Sequence, residues 1–241
     1  MTFHTVIFKI GGKILENLEN INTTIAQLSQ LYKEKIIKKI ILIPGGGSYA
    51  NFVRNLQDKL EFDEELAHWM SILSMNYNGI ELNKKFPEII VIDNISKLKK
   101  LNKTFSIFLP FKYLKKNDQL PHNWDVTSDS IALFLAKELE LNKCFLIKDV
   151  NGVFNDKNQL IKEITTQKFL EMKKCGKLAE IEINVDKLKT RSKPIDLYSL
   201  QLIKNFKIHC FILNGSSNTQ RILDFFNESL DKIKKIFTKI M

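Results

Sequence analysis

Residues 4–12 read His-Thr-Val-Ile-Phe-Lys-Ile-Gly-Gly, and residues 40–47 read Ile-Ile-Leu-Ile-Pro-Gly-Gly-Gly. Each segment is a short apolar run that ends in glycines, which is typical of a buried strand followed by a tight turn. Between them, Ile21, Ile25 and Leu28 recur at the spacing of a helix face. The order strand, helix, strand predicts a right-handed crossover, and therefore two parallel strands.

The same alternation of strands and helices continues along the chain. Strands are expected at 88–92, 104–109, 143–148 and 207–213. Helices are expected at about 20–35, 48–60, 63–82, 128–140, 166–174 and 196–206, and again from the strand at 207–213 to the C-terminus, with a polar loop at 115–124. This pattern predicts an α/β fold with a mostly parallel sheet covered by helices on both faces. Because no repeat or low-complexity linker interrupts it, residues 1–241 are expected to form a single domain.

The composition is that of an ordinary globular protein. The 241 residues are 44% hydrophobic and 27% charged, which argues against disorder and coiled coil. No apolar run reaches the roughly 18 residues that span a bilayer, and no secretory signal is visible, so no membrane partner is expected. The cysteines Cys144, Cys175 and Cys210 form no CxxC pair, so we expect a reducing, cytoplasmic environment.

The net charge of +10 does not point to nucleic acid. Only Arg54, Arg191 and Arg221 are arginine among the 37 basic residues, whereas proteins that bind nucleic acid rely on arginine for bidentate contacts. No nucleic-acid partner is therefore expected. A cationic protein suits an anionic, phosphorylated ligand instead.

The glycine clusters after the first two strands predict an anion site. Gly11-Gly12 and Gly45-Gly46-Gly47 would lie at one sheet edge, where backbone amides can approach a phosphate closely, and Lys9 precedes the first cluster. The alternative is that each cluster only forms a tight turn. No Walker A motif is present, and no acidic strand end follows to complete a dinucleotide-binding motif.

Two further segments carry polar groups at expected strand and helix ends. Trp124-Asp125-Val126-Thr127-Ser128-Asp129-Ser130 supplies two carboxylates and three hydroxyls, more than a helix cap alone requires. Carboxylates near a phosphate site can bind Mg²⁺ or orient lysines. Lys148-Asp149-Val150-Asn151-Gly152-Val153-Phe154 has the form of a strand end and a turn, and hairpin chemistry alone could explain it.

In this order and spacing, these segments together with Lys9-Ile10-Gly11-Gly12 and Leu213-Asn214-Gly215 resemble the amino acid kinase family. The resemblance implies a three-layer αβα sandwich around a mainly parallel eight-stranded sheet. It also implies an acceptor lobe at about 1–140, a nucleotide lobe at about 141–241, ATP and Mg²⁺ as cofactors, and a homo-oligomer. A non-catalytic nucleotide- or oxyanion-binding protein of the same fold is the alternative, and the pair Lys9 and Asp129 argues against it.

The resemblance also assigns roles to residues. Catalytic roles fall to Lys9, Asp129 and Lys148. Contacts to phosphate and acceptor fall to Gly11, Gly12, Gly45, Gly46, Gly47, Asp125 and Thr127. Contacts to the nucleotide fall to Lys148, Asp149, Gly152, Val153 and Phe154. No protein side chain is assigned to the metal, which ATP would bring, with Asp125 near its shell. The family's Gly-Gly-Met segment with a second lysine is absent, so either Lys148 or a lysine of residues 187–193 supplies that charge.

Residues 67–79 and 124–132 resemble one branch of the family more narrowly, the aminomethylfuran-methyl phosphate kinases of methanofuran biosynthesis. That branch converts a phosphate monoester into a diphosphate. Its acceptor would need an aromatic wall and a carboxylate for its ammonium, for which the candidates are Trp69, Trp124, Asp125, Glu64 and Glu65. Isopentenyl phosphate, UMP or an acetylglutamate-type carboxylate are alternative acceptors. Alternatively, both tryptophans are core residues, and residues 67–79 form a core helix that buries Met70, Leu73 and Tyr77.

Overall fold

A computed structural model describes residues 3–179 and 194–241, which contain ten strands and ten helices. The strands are β1 (Phe3–Ile10), β2 (Ile37–Pro44), β3 (Ile90–Ile92), β4 (Thr104–Phe108), β5 (Lys143–Lys148), β6 (Val153–Phe154), β7 (Leu160–Ile161), β8 (Glu163–Ile164), β9 (His209–Asn214) and β10 (Thr238–Ile240). The helices are α1 (Gly12–Leu15), α2 (Leu18–Lys33), α3 (Gly47–Leu60), α4 (Glu64–Lys85), α5 (Ile95–Lys100), α6 (Phe111–Asn117), α7 (Ser128–Glu138), α8 (Thr166–Lys174), α9 (Leu197–Phe206) and α10 (Arg221–Phe226).

Eight strands form one sheet in the order β3-β4-β2-β1-β5-β9-β10-β8. The pairs from β3 to β9 are parallel, β10 is antiparallel to β9, and β8 pairs parallel with β10. The separate strands β6 and β7 pair antiparallel. The mainly parallel eight-stranded sheet is therefore confirmed. In the β1–β2 register Lys9 pairs with Ile43, so both glycine clusters follow at the same sheet edge.

Helices cover both faces of the sheet. Side chains alternate along β1, so that Ile7 packs in one buried cluster and Phe8 in another. The Ile7 cluster includes side chains of α4, α7 and α9, whereas the Phe8 cluster includes side chains of α2 and α10. In the second cluster Phe8 lies 5.3 Å from the Phe145 ring centroid and 6.0 Å from that of Phe226. The predicted three-layer sandwich is confirmed.

Side-chain caps fix the N-termini of six helices, among them α4, α7 and α9. Asp63 accepts a hydrogen bond from the Leu66 amide at the start of α4. Thr127 caps α7, and Asp196 caps α9. Because a cap satisfies amides that have no partner inside the helix, these residues set where each helix begins. The cap on α7 thereby places the following helical residues at the edge of the sheet.

The structure differs from the sequence predictions in three places. Helix α6 occupies part of the expected loop at 115–124 and buries only Leu114 on the core. The expected helices to the C-terminus are wrong after Phe226, because Thr238 and Ile240 are buried in the strand β10, between β9 and β8. The alternative in which residues 67–79 form a core helix that buries Leu73 and Tyr77 is also wrong for these two residues, since both side chains are about half exposed. A strand of three residues, such as β10, and a helix that contacts the core through one residue, such as α6, are too short to give a periodic pattern in the sequence.

Within the described ranges, no helix is long and apolar enough to cross a membrane.

Candidate active site

Two lysines and one aspartate meet at the carboxyl edge of the central strands. Lys9 lies near the end of β1, Lys148 ends β5, and Asp129 lies in the first turn of α7. The Lys9 Nζ is 2.7 Å from Oδ1 of Asp129, and the Lys148 Nζ donates to Oδ2 at 2.6 Å. All three side chains are at most 7% exposed. The structure thus brings together the three residues predicted to be catalytic.

The charges of this cluster do not cancel within it, because two ammonium groups share one carboxylate. Burial raises the pKa of Asp129, but the charges of Lys148 and Lys9 outweigh burial and hold that pKa below its usual range. Burial is also the main reason that the pKa of Lys9 falls to about 8, against the opposing attraction of Asp129. A buried site with surplus positive charge favours an anionic ligand.

The glycine clusters divide into amides that complete the sheet and amides that remain available. Gly11 donates to the Ile147 carbonyl and Gly45 to the Ile10 carbonyl, both at 2.8 Å. The amides of Gly12, Gly46 and Gly47 donate no hydrogen bond within the described part of the chain. Of the five glycines predicted to contact phosphate, these last three therefore have amides available for that contact, which stays a prediction.

Two polar side chains that the sequence analysis did not single out support these loops. Glu16 accepts a hydrogen bond from the Ser48 amide in the first turn of α3, and Asn78 of α4 donates to the Gly45 carbonyl at 2.7 Å. A Cβ atom on Gly12 would lie 2.6 Å from the Gly47 Cα, so the two loops touch at a point where only glycine fits. The sequence shows only an asparagine within the stretch 67–79, and its burial, which requires a hydrogen-bond partner, becomes visible in the structure.

The start of α7 is held by Asp196, another residue that sequence reasoning missed. One Asp196 oxygen accepts from the Thr127 hydroxyl at 2.6 Å, and the other accepts from the Ser130 hydroxyl at 2.7 Å. Thr127, predicted to bind the acceptor, therefore uses its hydroxyl inside the protein. Asp125 is exposed on the preceding loop. The position of Asp196 directly before an expected helix was a capping signal.

The predicted nucleotide residues lie in the loop after β5 and in β6. Asp149 follows Lys148, and its buried Oδ1 has no hydrogen-bond partner among residues 3–179 and 194–241. Gly152 has φ +141°, and a Cβ there would lie 2.2 Å from Oγ1 of Thr238. Val153 donates its amide to the same oxygen at 2.8 Å, and Phe154 pairs with β7. The end of β9 is hydrogen-bonded to this loop, because the side-chain amide of Asn214 donates to the side-chain oxygen of Asn151 at 3.0 Å.

Both tryptophans lie outside the deep core, and each has a cationic side chain on its ring. The Arg54 guanidinium is 4.3 Å from the Trp124 ring centroid, and the Lys115 ammonium is 4.2 Å from that of Trp69. The Trp69 indole donates to Glu65 at 3.3 Å. Glu64 is exposed in the same turn of α4. The lysines of residues 187–193 lie outside the described residues.

Comparison with known proteins identifies the fold and a full-length relative. The amino acid kinase family matches residues 4–214. The [5-(aminomethyl)furan-3-yl]methyl phosphate kinase of Methanocaldococcus jannaschii is 29% identical over 237 residues, which cover 98% of this chain and 97% of that protein.

Two crystal structures share the fold at low identity. The UMP kinase of Ureaplasma parvum superimposes with a TM-score of 0.69 at 20% identity, covering 100% of this chain and 97% of that chain. The uridylate kinase of Archaeoglobus fulgidus gives a TM-score of 0.67 at 16% identity, covering 99% of this chain and 100% of that chain. The chain belongs to the amino acid kinase family and is an ATP-dependent kinase.

Proposed function

We propose that this kinase transfers the γ-phosphoryl group of ATP to a small phosphate monoester, of the aminomethylfuran-methyl phosphate type, and forms a diphosphate. The observation that carries the proposal is the buried cluster of Lys9, Asp129 and Lys148, with two cations and one anion. The nearly full-length match to a kinase named for that substrate supports the acceptor.

The reaction forms one bond and breaks one bond at phosphorus. An oxygen of the acceptor phosphate bonds to the γ-phosphorus, the bond to the bridging β,γ oxygen breaks, and ADP leaves with that electron pair. The acceptor oxygen is already ionised, so no general base is required. Lys9 would neutralise the transferred oxygens, Lys148 would supply the second charge, and Asp129 would keep both ammonium groups in place.

The residues at the nucleotide loop fit a magnesium ion carried by ATP. Mg²⁺ prefers oxygen ligands, and Asp149 offers a buried Oδ1 without a partner among the described residues. Asp125 offers an exposed carboxylate on the loop before α7. When bound with ATP, the ion would neutralise charge on the β- and γ-phosphates.

The acceptor site is proposed to use Trp124 and Arg54. The Trp124 indole donates to Gln57 at 2.5 Å, which fixes the plane of its ring, and Arg54 lies over that ring. This contact shows that the ring face accepts a cation. An acceptor with a phosphate and an aminomethyl group could draw Arg54 to its phosphate and place its ammonium on the ring.

We also propose that two copies of the chain associate through α3 and α4. Exposed apolar side chains recur on one face of α4, and the Tyr77 ring lies 4.7 Å from that of Tyr49 on α3. The large apolar side chains that are exposed on these two helices are Tyr49, Phe52, Leu60, Leu66, Leu73, Tyr77 and Ile80. A contiguous apolar strip of this kind is typical of a self-complementary interface. Light scattering should give twice the chain mass for wild type and for Leu18→Glu, an exposed leucine elsewhere, and a lower mass for Leu73→Glu.

The catalytic proposal is tested by measuring ADP release with a panel of acceptors. The panel contains aminomethylfuran-methyl phosphate, isopentenyl phosphate, UMP, N-acetylglutamate, aspartate and carbamate. The expected result is turnover with aminomethylfuran-methyl phosphate and formation of a diphosphate, detected by phosphorus NMR. Turnover with a carboxylate alone would overturn the proposed acceptor class.

A further inference from the structure

Two of the four histidines in the sequence meet one aspartate away from the lysine cluster. His68 lies in the second turn of α4, Asp118 follows the last residue of α6, and His122 lies in the loop that leads to α7. None of the three has a role in the phosphoryl transfer proposed above. The cluster joins α4 to the segment that carries Trp124.

The three side chains present their ligand atoms to one another. Nε2 of His68 is 2.7 Å from Oδ2 of Asp118, and Nε2 of His122 is 3.5 Å from the same oxygen. One potential ligand atom from each residue lies within 4.8 Å of the others. Ligands at ordinary zinc distances in a tetrahedral site are about 3.3 Å apart. The two nitrogen–oxygen distances lie on either side of that value, and all three ligand atoms lie within 4.8 Å of one another.

The surroundings orient the carboxylate toward the imidazoles. Oδ1 of Asp118 accepts the Leu120 amide at 3.0 Å, which leaves Oδ2 for the two histidines. Carboxylates that bind a metal are commonly held in place by a hydrogen bond of this kind. The Trp69 ring packs edge-on against both imidazoles, at 5.0 Å and 5.2 Å between centroids. One side of the cluster is therefore closed by an aromatic ring.

Access to the cluster is from the His122 side. The His68 and Asp118 side chains are 4% and 5% exposed, whereas His122 is 30% exposed. The two imidazoles lie almost parallel, with centroids 4.1 Å apart. Since an imidazole binds a metal in the plane of its ring, one ion can join both nitrogens only when the His122 ring turns out of this stack, and His122 is the more exposed of the two histidines.

We propose that His68, Asp118 and His122 bind one divalent transition-metal ion of the zinc class, with water completing the coordination. Imidazole nitrogen favours zinc and its neighbours, whereas the Mg²⁺ that accompanies ATP favours oxygen ligands only. The bound ion would fix the connection between α6 and α7 against α4. It would thereby hold the loop of Trp124 in place without contacting the transferred phosphate.

The test titrates the chelator-treated protein with Zn²⁺ by calorimetry, in the absence of nucleotide. Co²⁺ serves as a second, coloured probe, because its visible absorption reports the coordination geometry. We expect one equivalent of Zn²⁺ to bind, and the Co²⁺ complex to show absorption of a four- or five-coordinate site. We expect His122→Gln and Asp118→Asn to weaken binding at least tenfold. Absence of stoichiometric binding to the wild type would overturn the proposal.

Matched variants separate this cluster from other soft ligands. His209→Gln removes a histidine at the other end of the sheet, and Cys175→Ser removes an exposed thiol. Both are expected to bind Zn²⁺ as the wild type does. Binding that survives in His122→Gln but is lost in Cys175→Ser would also overturn the proposal. His122 is the most exposed ligand, so its replacement decides the matter if Asp118→Asn does not fold; circular dichroism checks the fold of each variant.

Discussion

Lys9 and Lys148 stand near the carboxyl ends of adjacent parallel strands, and their ammonium groups contact the two oxygens of a single carboxylate. The carboxylate belongs to Asp129, which enters from the first turn of α7. Three elements that are distant in sequence therefore build one charged cluster. Since the pair of cations exceeds the charge of Asp129, the cluster favours a further anion, and we propose that the transferred phosphoryl group is that anion.

Replacing Lys9 by methionine removes the charge and keeps most of the side-chain volume. We expect kcat to fall by about two to four orders of magnitude, because one preorganised charge at a transferring phosphoryl group is worth roughly 3–5 kcal/mol. Steady-state ADP release measures the effect. Lys39→Met is the matched control, since Lys39 is also buried but donates to the Leu98 carbonyl at 2.5 Å instead of meeting a carboxylate. Near wild-type turnover of Lys9→Met would remove Lys9 from the mechanism.

Asp129→Asn keeps the shape of the side chain and removes the charge that holds both lysines. We expect kcat to fall about a hundredfold or more, with a smaller change in the KM for ATP, because the lysines lose their position at the reacting phosphate. Full kinetic curves against ATP separate the two parameters. An increase in KM at constant kcat would instead place Asp129 in nucleotide binding alone.

The pH dependence of kcat/KM follows from the lowered pKa of Lys9. Burial brings this pKa to about 8, so the ammonium is charged below that pH and neutral above it. We expect kcat/KM, which reports the free enzyme, to fall above about pH 8. Bound phosphates would raise the pKa of Lys9, so kcat itself should fall only at higher pH. Lys9→Arg keeps its charge throughout this range, and a decline of the same midpoint in that variant would assign the ionisation to another group.

The Glu16 carboxylate accepts a hydrogen bond from the first turn of α3, next to the available amides of Gly46 and Gly47. A phosphate that approaches these amides meets this negative charge. We expect Glu16→Ala to lower the KM for the acceptor by about twofold to fivefold, the size of a charge effect at a helix terminus, with little change in kcat. Glu19→Ala, an exposed carboxylate on α2, is the control. A tenfold increase in the acceptor KM would show that Glu16 binds the acceptor's ammonium instead.

The parts of the fold that could be predicted from the sequence are the alternating buried strands and helices. Buried strands such as β1 and β2 are long apolar runs that end in glycine, and the sheet edge of the site follows from their parallel pairing. Lys9 was found because it precedes such a turn. Asp129 and Lys148 were found by resemblance, because nothing local relates a helix start to a strand end at a distance of 19 residues.

The missed features depend on contacts between distant segments. Asp196 holds α7 from 66 residues away, and Glu16 reaches the Ser48 amide across 32 residues. In sequence, Glu16 looks like an ordinary surface carboxylate, and Asp196 looks like a cap of its own helix rather than a support of α7. The strand β10 was missed because three residues give no period, and its pairing with β9 depends on the whole sheet. Sequence reasoning therefore predicted the strands and turns that form the site, but only some of the side chains that hold them in position.

The last prediction concerns the acceptor, and it tests the pairing of Arg54 with Trp124. If the guanidinium leaves the ring to bind the acceptor phosphate, Arg54→Ala should raise the KM for aminomethylfuran-methyl phosphate at least tenfold, which corresponds to about 1.4 kcal/mol. Trp124→Leu should raise the same KM through loss of the aromatic surface, but should leave the KM for isopentenyl phosphate, which has no ammonium group, nearly unchanged. Lys115→Ala, which frees the Trp69 ring, is the matched control. If N-acetylglutamate or isopentenyl phosphate gives a kcat/KM tenfold above that of aminomethylfuran-methyl phosphate, the proposed acceptor is wrong, although the chain remains a kinase of this family.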